Sequence, residues 1–181
     1  APELREVGGN LQTDEAVSFK TPKLEKVAGA LVAPNANTLT ITELREVGGS
    51  IETHHARAFV TPKLEKVGGY IDAKMARVFT IPELKEVASY IQLMSPIHSP
   101  GLGKLLEDFT APKLETVGSF LSAGSVKTFS APKLKAVGKS LIAGRAETFA
   151  TPELETVGGK FMVENAKTLV IPKLRTVTDE L

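Results

Sequence analysis

The chain has no cysteine and no tryptophan in its 181 residues, and it has little net charge and few aromatics. Without cysteine there can be no disulfide, no thiolate metal site and no cysteine nucleophile, while a reducing cytosol and an oxidising exterior fit equally well. The 22 Lys and Arg nearly cancel the 21 Asp and Glu. The long-range field of a nucleic-acid or polybasic membrane binder is therefore missing, and neither partner is expected. No apolar run approaches the ~20 residues that span a bilayer as a helix, so membrane insertion is not expected. The opening residues, APELREVGGN, lack the apolar core of a signal peptide. There is no initiator Met, and the chain starts and stops inside its own repeat, as a processed product or an excised segment would. Gly-x-Ser-x-Gly, P-loop and His-Glu-x-x-His motifs are also absent. Gly101-Leu102-Gly103-Lys104 lacks the spacing and the Ser/Thr of a phosphate loop and reads as a flexible turn. The expectation is a chain that is not an enzyme and needs no cofactor.

What the sequence does have is a period. PKLEKVGGYIDAKMARVFTI, PKLETVGSFLSAGSVKTFSA and PELETVGGKFMVENAKTLVI superimpose without gaps. New copies start at Pro2, Pro22, Thr42, Pro62, Pro82, Pro112, Pro132 and Pro152, and a half copy starts at Pro172. The copy spanning 82–111 carries a ten-residue insertion. With the Pro as position one, position three is always Leu (Leu4 through Leu174) and position six always Val (Val7 through Val177). Position ten is always large and apolar, from Leu11 to Phe161, and position eighteen is Phe or Leu, from Phe19 to Leu169. These four positions are expected to form the core. Ala at position fifteen (Ala36, Ala56, Ala76, Ala146) marks a cramped interior corner.

Gly pairs such as Gly48-Gly49 and Gly68-Gly69 allow a tight bend, and the following x-Leu-x-Ala alternates like a strand. A second extended piece, such as Thr128-Phe129-Ser130, precedes each Pro. Leu-x-x-Val leaves room for only a turn or a 3₁₀ segment. The pattern predicts parallel strands stacked ~4.8 Å apart in a single repeat solenoid over 1–181. Charges supply an independent check on that stack. Position four alternates in sign through every copy: Arg5, Glu25, Arg45, Glu65, Lys85, Glu115, Lys135, Glu155, Arg175. Position two alternates likewise, from Glu3 to Lys173, except where Lys113 meets Lys133. One-copy stacking gives each charge opposite neighbours above and below, so these columns read as register and solubility devices.

The run V-G-G-x-L-x-A followed by x-x-A-x-x-F-x-x-P-x-L-x-x-V resembles the leucine-rich repeat superfamily. It looks nearest to short bacterial repeats of the "APKLxxVGGxL" kind and is more distantly similar to receptor L domains. The resemblance covers almost the whole chain. It implies a mainly β, right-handed, leucine-rich-repeat-like parallel β-solenoid of about nine turns with little or no α-helix. It also implies a non-catalytic scaffold that recognises another molecule, and an extracellular or cell-surface setting, although composition alone leaves localisation open. Two departures from the family stand out: Ala replaces most of the asparagine ladder, and cysteine-rich caps are missing.

Positions nine, eleven and thirteen vary most between copies and flank the inward residues of the predicted strand, so they should share one outward face. Tyr70, Tyr90 and Phe120 occupy position nine of three consecutive copies and should form an aromatic stripe beside the insertion. With Asp72, Lys74, Gln92 and the insertion's His98 they make the candidate ligand-binding set, and the expected partner is a protein or a glycan. The alternative is that the insertion folds over the stripe and hides it. His54, His55 and His98 are the only histidines. No carboxylate cluster completes a coordination shell around them, and adjacent His54 and His55 diverge if that segment is extended, so no metal is expected. Positions seventeen and nineteen form outward Thr-rich pairs such as Thr38/Thr40 and Val78/Thr80. They resemble an ice-binding array, but Ser18/Lys20 and Asp108/Thr110 interrupt it. A second function class is a structural stalk of a bacterial surface or secreted protein that associates end to end or edge to edge, because neither terminus carries an obvious polar cap.

Overall fold

The computed structural model describes residues 3–13, 15, 17–93 and 106–178. They form a parallel β-solenoid, and no helix occurs among them. Each full coil contributes three short strands. Positions five and six build a nine-stranded sheet running from Glu6–Val7 to Thr176–Val177, called here the Val sheet. Positions ten and eleven build an eight-stranded Leu sheet from Leu11–Gln12 to Phe161–Met162. Positions seventeen to nineteen build two four-stranded Phe sheets, from Ser18–Lys20 to Val78–Thr80 and from Asp108–Thr110 to Thr168–Val170. Register is one copy per step throughout, as in Lys66↔Glu86 with Val67↔Val87, and Phe129↔Phe149.

Two of these three strands lie where the sequence pattern places extended chain. The third is a correction. The β-turn precedes Leu-x-x-Val, centred on the Pro and the residue after it, and Leu-x-x-Val itself runs into a strand, with no 3₁₀ segment. The Leu64 N–H donates to the Thr61 carbonyl across Pro62 and Lys63 at 3.2 Å, and Lys66–Val67 then joins the Val sheet. Proline suits the second position of such a turn because its ring already holds the required φ. Where Thr42 stands in its place the chain makes a bend, and its hydroxyl bonds the Pro22 carbonyl at 3.1 Å. A further turn spans positions twelve to fifteen, as in Ala76 N–H to Ala73 C=O at 3.0 Å, with the small residue inside the corner. The remaining corner is the glycine bend. A Cβ on Gly138 would stand 2.1 Å from the Gly118 carbonyl oxygen of the preceding coil.

The four expected core positions are inside: Leu64, Val67, Ile71 and Phe59 are all fully buried. Each such side chain contributes roughly 1.5–3 kcal/mol by leaving water. Positions twelve and twenty are inside as well, as Ala73, Ile41, Thr61 and Thr151 show. Buried phenylalanines stack along the axis with centroids 5.0 Å apart for Phe59–Phe79, 4.8 Å for Phe109–Phe129 and 4.7 Å for Phe129–Phe149.

The insertion enters at the corner between the Leu and Phe sheets, and residues 94–105 lie outside the described residues. Its structural effect is local. Glu115 N–H still reaches the Lys85 carbonyl at 2.8 Å, and Ile91 N–H reaches the Phe120 carbonyl at 3.0 Å, so two sheets continue across it. The Phe sheet is cut there, and Phe79 and Phe109 are 6.3 Å apart. The Thr-rich outward array is therefore split into two pieces.

Charge columns stand as the alternation requires. At position two Lys63 meets Glu43 at 2.6 Å and Lys173 meets Glu153 at 2.6 Å. At position four Glu65 lies between Arg45 at 3.2 Å and Lys85 at 2.6 Å. Further columns, not anticipated from sequence, run along position five (Lys26–Glu46 at 2.9 Å, Lys66–Glu86 at 3.1 Å) and position sixteen (Lys167–Glu147 at 2.7 Å). The hydrogen bond and charge of Lys85 hold the Glu65 carboxyl below its ordinary range, and Lys135 and Lys167 do the same for Glu115 and Glu147. These side chains are solvated, so the gain per pair is small and screened by salt.

Candidate functional site

The strand Ile71–Asp72 turns Ile71 into the core and Asp72 outward, and the same alternation repeats along the Leu sheet. Position nine sits just ahead of each strand. Because neighbouring coils are in register, position-nine side chains form a column, and the three aromatic ones stack. Tyr70 and Tyr90 have centroids 4.5 Å apart with planes 3° from parallel, and Tyr90 and Phe120 are 4.4 Å apart at 8°. All three are part-buried. The expected stripe exists, but its rings lie plane against plane, so both faces of Tyr90 are covered and the column offers mainly ring edges along its length.

Polar groups gather beside the Tyr70 end. The Tyr70 hydroxyl donates to the Glu52 carboxylate. That bond, then burial, then the Glu52 charge, push the phenol's pKa up to about 12. Tyr90 is raised too, by burial first and the Asp72 charge second. The Asp72 side chain is only 4% exposed, and its Oδ2 receives Lys74 Nζ at 2.7 Å and faces His54 Nε2 at 3.3 Å. Among the described residues Asp72 Oδ1 is buried without a hydrogen-bond partner, as is the Ser122 hydroxyl two coils along. An unmatched buried oxygen costs stability, which sets this part of the surface apart from a solvated strand face.

Of the residues singled out from sequence, the structure brings Tyr70, Tyr90 and Phe120 together in one stack and Asp72 and Lys74 together in an ion pair. Gln92 is part-buried at position eleven between Asp72 and Ser122. His98 lies outside the described residues, as does any contact of the insertion with the stripe. His54 and His55 occupy a turn, so the expectation that extended chain drives them apart does not apply. No group of three or more His, Asp or Glu suited to a metal ion occurs among the described residues. Glu52 and His54 lie on the variable face expected from positions eleven and thirteen but stand outside the candidate set. Their signal was available in the one-copy register, which sets Glu52 beside Asp72 and His54 beside Lys74.

No protein-family model, no curated protein and no solved structure matches the chain. Its class is set by its own geometry, a parallel β-solenoid with one variable face.

Proposed function

We propose that this chain is a non-catalytic recognition scaffold of the leucine-rich-repeat kind, binding a protein or a glycan through the variable face of its Leu sheet around Tyr70, Tyr90 and Phe120. The observation carrying this reading is the stack itself. Three part-buried aromatic rings stand in a column that the other copies fill with Asn10, Ala30, Ser50, Ser140 and Lys160. Coil closure does not need rings there, whereas binding surfaces favour them for their large contact area and low rotamer entropy. Binding would rest on shape and on the polar groups around Asp72, with no bond made or broken.

The test is a screen of glycan and protein arrays with the wild-type chain and the Tyr70→Ala/Tyr90→Ala/Phe120→Ala variant, both checked for folding. Loss of a specific signal in the variant is the expected result. A specific signal that survives unchanged would exclude this face.

A further inference from the structure

Stacking leaves only two ring faces of the aromatic column uncovered by another ring: that of Tyr70 toward Ser50 and that of Phe120 toward Ser140. The two ends differ in charge. Beside Tyr70 stand Glu52 and Asp72, and the Tyr70 hydroxyl is already committed to Glu52. Beyond Phe120 the column continues with Ser140 and then Lys160, and Lys139 immediately precedes Ser140. Lys139 and Lys160 are exposed, and neither forms an ion pair among the described residues, whereas most lysines of the charge columns do. Arg145 adds a third exposed cation at the far end of the same coil, against which only Glu164 stands on this face of the last two full copies. No other part of the variable face has such an excess of positive charge.

A notch is thus built from one wall, one floor and one opposing side chain. Phe120 and Lys160 belong to coils two steps apart, ~9.6 Å at the usual strand spacing. Ser140 lies between them with a side chain too short to fill the gap. Its Oγ accepts the Lys160 N–H at 3.2 Å, which leaves its own O–H available to a ligand. At the strand's other end Gly144 has no side chain, and a Cβ there would meet only Glu164 Oε2, at 3.9 Å. The shelf next to the notch is therefore open, with part-buried Ile142 as its apolar surface.

We infer that this notch binds an acidic glycan, one uronate unit at a time. The C–H face of a six-membered sugar ring lies on the Phe120 face that no other ring covers, the Ser140 hydroxyl donates to a ring substituent, and the carboxylate meets Lys160 and Lys139. An apolar ring face within two coils of two exposed cations suits a ring that is apolar on its face and anionic at its edge. The inference rests on the recognition reading above and narrows it to one ligand class and one end of the stack.

The probe is a galacturonate tetramer, with its fully methyl-esterified form as the uncharged control, titrated calorimetrically against the folded chain. The acid should bind and the ester bind at least about tenfold more weakly. Phe120→Ala should also weaken the acid about tenfold, as loss of one stacking partner would. Phe120→Leu, which keeps apolar bulk without a ring face, should restore little. Lys139→Ala/Lys160→Ala should abolish the preference for acid over ester, and Val78→Ala, on the exposed side of the Phe sheet, should change nothing. Equal binding of acid and ester would overturn the inference, as would acid binding indifferent to Phe120, which would mark simple polyanion attraction. If no tetramer binds, the inference fails, yet the broader reading stands wherever the triple variant loses an array signal. If Tyr70→Ala weakens the tetramer as much as Phe120→Ala does, the ligand runs along the stripe and the notch assignment is wrong.

Discussion

The molecule contains two aromatic columns with nearly the same spacing and very different reasons to exist. Inside, phenylalanines at position eighteen stack 4.7 to 5.0 Å apart within each half of the chain and are almost entirely buried. Outside, Tyr70, Tyr90 and Phe120 stack at 4.4 to 4.5 Å and stay part-exposed. Coil repetition fixes the spacing of both, so stacking by itself carries no functional message. Confinement does: the inner column persists as Phe or Leu in every full copy, while the outer one occupies three copies and stops. The inner column is what any coil needs to close, and the outer one is a local addition to a frame that folds without it.

The largest expected effect is therefore on the inner column. Phe129→Ala should cost about 3–5 kcal/mol in urea unfolding, since the cavity would sit between two well-packed rings. Tyr90→Ala, which opens onto solvent, should cost distinctly less. If the two variants were equally destabilising, the contrast between frame and addition would be lost.

A smaller effect, of opposite sign, sharpens the meaning of "frame". Thr61, Thr21 and Thr151 occupy an inward position with hydroxyls that find no partner among the described residues, while Ile41, Ile81 and Ile171 hold the same position in other copies. Thr61→Val should leave stability unchanged or raise it by about 1 kcal/mol, because it removes a buried unmatched hydroxyl with little change in shape. A clear loss in the same urea experiment would mean the hydroxyl has a role that its surroundings do not reveal.

The smallest effect concerns the solvated columns. Glu65, Glu115 and Glu147 have carboxyl pKa values below the ordinary 4.5 in the folded chain, so they bind protons more readily once unfolded. Their contribution is complete above about pH 4.5 and is lost as pH falls through the lower folded values. Thermal melts from pH 7 to pH 3 should show stability falling only in that acid window, and less steeply in high salt. Glu65→Lys, which sets like charge against Arg45 and Lys85, should remove part of the effect and lower stability at pH 7 by more than Glu65→Gln does.

Much of this was legible in the sequence because a repeat reports on itself. Leu at position three, Val at six and Phe at eighteen never vary in polarity, so burial could be read without knowing the fold. Alternation at position four gave the one-copy step, and with it the adjacency of Tyr70, Tyr90 and Phe120. The third strand was not legible: it is two residues long and follows a Pro turn, so Lys66–Val67 carries no alternation to read. Position twenty was hidden because Thr, Ile and Ala all fill it. At the site, order along the column could be read but ring orientation could not. The burial of Asp72 depends on side chains converging from several coils, which no single copy records.

Charge alternation gives the chain a parity. Odd copies read E-L-R/K-E-V and even ones K-L-E-K-V through the first five copies, so losing or gaining a single coil there would set like beside like in three columns at once. Losing or gaining two would leave every column alternating. The electrically neutral unit of growth is the pair of coils, and Lys113 beside Lys133 marks the place where position two slips out of step while position four keeps count.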